Sequence, residues 1–135
     1  MTGVQTCALP ISAHFGLWTA AARGEHVDWD ALFDGFGAAV DWPSASFWKE
    51  LSEVYPDSII LLSTRDSAEA WWKSASETIF RVANADRGSA MTTMIESIFG
   101  ARFTMAIHDR DAAIAAYERH NAIVDRHREI GRAHV

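Results

Sequence analysis

Apolar positions recur at helical spacing along most of the chain. Trp29, Leu32, Phe33 and Phe36 fall at i, i+3, i+4 and i+7, one face of a 3.6-residue period, behind an Asp28 placed to cap them. Gly35 and Gly37 end that stripe. Phe47, Trp48, Leu51, Val54 and Tyr55 make a second, opened by Ser44 or Ser46 and closed by Pro56 and Asp57. Trp71, Trp72, Ala75, Ile79 and Val82 give a third over residues 68–82, and Met91, Met94, Ile95, Ile98 and Phe99 a fourth, ended by Gly100. Ile114, Tyr117 and Val124 mark the inward side of a long helix over residues 109–128, with Asp109 as its cap. Near the start, a short helical piece from Leu17 to Arg23 stops at Gly24. Two segments break the helical pattern. Residues 38–41 are small and branched, and residues 58–64 hold four consecutive large aliphatics without alternation, the signature of a strand buried on both faces of a parallel sheet. Helix, strand, helix, strand, helix predicts an α/β class. Two strands do not make a stable sheet alone, so the chain reads as the interior of a larger domain.

Composition narrows the class. The 135 residues are 49% hydrophobic and 22% charged with 8 Gly and 3 Pro, which suits one folded domain and excludes disordered or collagenous chains. No apolar run reaches the roughly 18 residues of a membrane span. A net charge of −6 argues against general nucleic-acid or anionic-membrane binding. A lone cysteine, Cys7, excludes a disulfide framework and a zinc cluster. The two ends have a different character. MTGVQTCALPI (1–11) resembles the translation of a common sequencing adapter, and IGRAHV (130–135) resembles its complement. Read so, both ends are artefactual and leave fold reasoning to residues 12–129. Cys7, Pro10, Arg132 and His134 then drop out, and the loss of Arg132 leaves 11 Lys+Arg against 18 Asp+Glu. The true N-terminus, and any signal on it, is not legible on this reading; the expected location is the cytoplasm.

Ligands of open parallel sheets gather at the carboxyl ends of the strands. Those ends are Asp41 after the first strand and Thr64, Arg65 and Asp66 after the second. An Arg that leaves a strand and is followed by a helix N-terminus makes an anion site: a planar guanidinium fork beside free N–H groups and a positive dipole end. Ser74, one to two turns into that helix, is placed to add a hydroxyl. An Arg after a strand pairs as readily with a structural carboxylate, so both readings stay open on the residues alone.

The stretches LWTAAARGEHVDWDALF (17–33), AVDWP (39–43), FWKEL (47–51), YPD (55–57), RD (65–66), WWKSA (71–75), HDRDAAI (108–114) and YERHN (117–121) together resemble bacterial P-loop sulfotransferases. The resemblance implies a P-loop, nucleotide-kinase-like three-layer α/β fold with a parallel sheet. It further implies transfer of a sulfuryl group from 3′-phosphoadenosine 5′-phosphosulfate to an acceptor hydroxyl or amine, with no metal. By position it makes Arg65 and Ser74 the ligands of the donor's 3′-phosphate. The loop from Arg65 to Ser74 is one residue longer than the family pattern, which keeps Ser76 as the alternative to Ser74. Asp41 stands where better-known members carry a histidine base, and it is the candidate catalytic residue if burial raises its pKa. The competing reading is that Asp41 caps the next helix through Ser44. The family's Gly-rich phosphate loop has no counterpart in the sequence, so the chain by itself is expected to be inactive.

The remaining constellations favour packing. Trp29, Trp48, Trp71 and Trp72 sit on apolar stripes, whereas Trp42 beside Pro43 is the best aromatic candidate to touch a ligand. Met91, Met94 and Met105 read as core fillers. His120 and His127 lie seven apart on the last helix with no third metal ligand in view. The alternatives to a sulfotransferase are a P-loop nucleotide or small-molecule kinase and a non-catalytic helical interaction module.

Overall fold

The computed structural model describes residues 12–82 and 88–127. A 3-10 turn at Ser12–His14 leads into α1 (Phe15–Ala22), and α2 (Trp29–Leu32) follows. A second 3-10 turn, Ser44–Phe47, runs into α3 (Trp48–Val54). After an irregular stretch come α4 (Ala68–Glu77), α5 (Ile79–Val82), α6 (Ala90–Arg102) and α7 (Arg110–His127). The residues 1–11 and 130–135 read as adapter sequence lie outside the described part, as does most of the expected loop at 84–88.

Local chemistry sets the helix ends. Gly24 adopts φ 76°, a left-handed conformation that glycine takes without a Cβ penalty. Its N–H bonds to the Ala21 carbonyl and that of Glu25 to the Ala20 carbonyl, so α1 closes in a Schellman motif. Asp28 accepts from the Ala31 N–H at 3.0 Å and caps α2. Asp109 accepts from the Ala112 N–H at 2.9 Å and caps α7. α6 does not end at Gly100 but runs on to Arg102, because a glycine inside a packed helix costs only about 1 kcal/mol.

Two clusters of buried side chains hold the helices together. In the first, α1 lies along α6: the small face of Ala20, Ala21 and Ala22 permits close approach to Met91, Met94, Ile95 and Ile98. Trp18 is its centre, only 1% exposed and within 5.5–6.1 Å, ring to ring, of Phe47, Trp29 and Phe33. The Arg102 guanidinium sits 5.0 Å over the Phe47 ring and pairs with Glu50 on α3, tying α6 to the same cluster. The second cluster gathers Ala75, Phe80, Ile107 and Ala113, with Trp71 and Trp72 packed against it. Phe99 of α6 packs against both.

Three expectations are corrected here. Among the described residues there is no β-strand: residues 38–41 and 58–64 are irregular and pair with no neighbouring strand, and Asp41 turns into the left-handed region at φ 65°. Ile59 and Leu61 are 67% and 74% exposed while Ile60 and Leu62 are half-buried, so the segment is covered on one face, not two. A strand exists only as a member of a ladder, and helices supply no ladder partners. The expected helix over residues 68–82 is broken at Thr78 (φ −123°, ψ −90°), whose hydroxyl bonds back to the Ser74 carbonyl at 2.6 Å. The break turns Phe80 inward and leaves Ile79 59% exposed, the reverse of the periodic reading. Met105, expected in the core, is 59% exposed.

The Tyr55 hydroxyl donates to Asp30 Oδ1 at 2.7 Å and joins the end of α3 to α2. Partial burial and the Asp30 carboxylate push its pKa up from 10 to about 12. A raised pKa means the neutral phenol is favoured in the folded state, so its stabilisation is complete below pH 10 and lost as pH rises through about 12. Tyr55→Phe therefore lowers the melting temperature by about 2–5 °C at pH 8, and the gap between variant and wild type closes in alkaline melts. In the first cluster, Trp18→Ala costs about 3–5 kcal/mol in urea denaturation. Trp18→Phe costs much less, because the buried Trp18 indole N–H has no hydrogen-bond partner among the described residues and its removal sacrifices no bond to them.

Candidate functional site

The site is built at the N-terminal end of α4. Ser67, in extended conformation, caps the helix by accepting from the Ala70 N–H at 3.0 Å. A residue seven positions along an α-helix returns almost to the same azimuth, so Ser74 lies on the face that the cap begins. Arg65, two residues before the cap, reaches along that face: its Nη2 lies 3.4 Å from Ser74 Oγ. Ser76, the alternative hydroxyl, instead donates to the Lys73 carbonyl at 3.2 Å. Arg65 is exposed, and among the described residues it forms no ion pair with a carboxylate. Glu69, the acidic residue in the first turn of α4, is taken up by Arg110 at 2.8 Å and so is drawn toward α7. What remains at the helix start is a guanidinium fork, a serine hydroxyl and first-turn N–H groups, a combination suited to an oxyanion.

α7 braces this end of α4. Tyr117 stacks on Trp71 with ring centroids 4.4 Å apart and planes at 12°. Its hydroxyl accepts from the Arg65 N–H at 3.1 Å across 52 residues of sequence. Sequence reasoning placed Tyr117 on the inward face of its helix but did not foresee that bond. Its only local signal was an amphipathic phenol on an otherwise apolar stripe, a side chain that buries its ring and keeps a polar tip. Sequence analysis did not single out the Ser67 cap, although a serine directly before a helical stripe is the usual start signal.

The structure places Asp41 differently. It is exposed and adopts φ 65°, a left-handed conformation that aspartate tolerates better than most side chains. Its Oδ1 accepts from the Trp42 N–H at 2.7 Å. Its main-chain carbonyl, not its carboxylate, meets the next helical turn, accepting from Ser44 Oγ at 2.9 Å and the Ala45 N–H at 2.8 Å. Among the described residues no hydrogen bond or ion pair joins Asp41 to Arg65 or Ser74. Trp42 is half-buried with its ring edge-on to Phe99 at 6.0 Å, and the Trp42–Pro43 peptide bond is cis. His120 is half-buried, with burial lowering its pKa below 6.5, and the His127 ring meets Trp48 at 4.9 Å. Among the described residues no three His, Cys, Asp or Glu side chains converge to hold a metal, and no helix is long and apolar enough to cross a membrane.

With this geometry in view, the comparison with known families is informative. A family model described as a sulfotransferase domain matches residues 2–134, nearly the whole chain. The protein belongs to that family. No curated protein matches it.

Loss of the cap is the simplest test of the local architecture. Ser67→Ala should destabilise the chain by about 1 kcal/mol in chemical denaturation. The amide of Ala70, freed from its acceptor, should exchange with solvent faster than in the wild type.

Proposed function

We propose that this chain carries the 3′-phosphate half of a sulfuryl-donor site, in a sulfotransferase whose donor is 3′-phosphoadenosine 5′-phosphosulfate and whose acceptor is a small-molecule hydroxyl or amine. The observation that carries the reading is the state of Arg65: an exposed guanidinium at a helix start, beside Ser74, with no carboxylate partner among the described residues. Arg102 and Arg110, by contrast, are neutralised by Glu50 and Glu69. An arginine kept for an anion is left open.

The donor, when bound, supplies an activated sulfuryl group on a phosphate leaving group. Arg65 would hold its 3′-phosphate through paired N–H donors, Ser74 would donate its hydroxyl to the same group, and the first turn of α4 would add main-chain N–H groups. Asp41 is proposed as the base toward the acceptor hydroxyl; it is exposed here, so the burial that this role requires would have to be supplied by the bound acceptor. The same reading expects a parallel sheet in a three-layer P-loop fold, which the described residues do not contain, and places the protein in the cytoplasm. The Gly-rich loop that would bind the sulfate end has no counterpart in the sequence. The chain on its own is therefore proposed to bind nucleotide weakly and not to turn over.

The test is a titration with adenosine 3′,5′-bisphosphate. Arg65→Ala should weaken its binding by at least tenfold, the scale of losing a charge-assisted pair of hydrogen bonds, and Arg65→Lys should recover only part of it because an ammonium lacks the planar fork. Equal affinity in all three proteins would remove Arg65 from the site.

A further inference from the structure

Resting on the anion-site reading above, we infer that Tyr117 is a positioning residue for Arg65, fixing the main chain from which the phosphate-binding guanidinium departs. Arg65 ends an irregular stretch that, among the described residues, has no ladder to hold it. At its start the stretch is pinned by Ser58, whose N–H and hydroxyl both bond the Tyr55 carbonyl, at 3.0 and 2.7 Å. At its other end the Arg65 N–H donates to the Tyr117 hydroxyl at 3.1 Å, a link to α7. An arginine side chain has four rotatable bonds above its Cα, so a small swing of the backbone displaces the guanidinium by several ångströms.

The Tyr117 hydroxyl is itself well placed to act as a fixed point. Its ring lies flat on Trp71, centroids 4.4 Å apart, and Trp71 packs edge-on against Phe80 and Phe103 at 6.0 and 5.9 Å. The phenol therefore has little freedom to rotate, and Trp71 stands one turn before Ser74 on the same face of α4. One stacked pair thus sets the relation between Arg65, approached through its main chain, and Ser74, carried by the helix under Trp71. The nearby pair of Arg110 with Glu69 joins the same two helices but touches neither phosphate ligand. Tyr117 does not contact the ligand in this scheme; it acts through Arg65.

Tyr117→Phe keeps the ring and the stacking and removes only the bond. The full-length chain and this variant are compared by 15N–1H correlation spectra titrated with adenosine 3′,5′-bisphosphate and, separately, with adenosine 5′-phosphate, which lacks the 3′ group. The expected result is an upfield shift of the Arg65 amide proton, a loss of about three- to tenfold in affinity for the bisphosphate, and unchanged affinity for the monophosphate. Equal losses for both nucleotides, no loss for either, or a Tyr117→Phe chain without a dispersed spectrum each overturn the inference and leave the hydroxyl a purely structural role. Arg65→Ala, run alongside, separates the two levels of the argument. If it weakens the bisphosphate and Tyr117→Phe does not, only the positioning role falls. If it has no effect, or the wild type fails to bind the bisphosphate, the anion-site reading falls and the role of Tyr117 with it.

Discussion

One phenylalanine ring is common to both halves of the core. Phe99, on the longest helix of the first cluster, touches Trp42 on one side and Phe80 and Phe103 on the other, with ring centroids 6.0–6.2 Å apart. Without strands among the described residues, packing of this kind is the main means by which the helices define one arrangement. Edge-to-face contacts have geometric preference as well as area, so Phe99 orients what it joins. The first cluster, built on Trp18 and the α1–α6 contact, is the more deeply buried. The second, smaller cluster carries the candidate site on its rim, and through Phe99 the position of α4 is referred to the larger one.

The placement of the candidate site follows from that hierarchy. Arg65 and Ser74 belong to a single stretch of chain, joined by a helix cap at Ser67 and held by the first turns of α4. The chemistry is thus assembled locally, while its stiffness comes from elsewhere: the Trp71–Tyr117 stack and the Glu69–Arg110 pair are contacts with α7.

How much of this was legible in the sequence depends on the range of the interaction involved. Asp28, Asp109 and Gly24 act within four residues, and their roles at helix ends could be read directly. The periodicity of α6 was equally plain, with Met94, Ile95 and Ile98 all buried. Thr78 was not: nothing in a continuous helical pattern announces a hydroxyl that bends the chain and exchanges Phe80 for Ile79 at the core. The two expected strands failed for a different reason. Four consecutive aliphatics report a tendency to be buried, but a strand is a relation between segments, and the partners are not among the described residues. Arg65 and Ser74 were singled out because strand end, turn and helix start follow one another in sequence. The bond from Arg65 to Tyr117 spans 52 residues and depends on how α7 lies against α4, which no local pattern encodes.

The exposure of Ile59 and Leu61 bears on how the molecule survives in solution. A short run of β-forming aliphatics, open on one face, is the kind of sequence that templates association between copies. Here the run is only four residues long and is bracketed by Pro56 and Asp57 on one side and by Arg65 and Asp66 on the other. A proline interrupts the donor ladder that a growing stack requires, and charges repeated in register between identical chains repel. These flanking residues are placed as gatekeepers, so the arginine proposed to hold an anion also sets a charge between neighbouring copies.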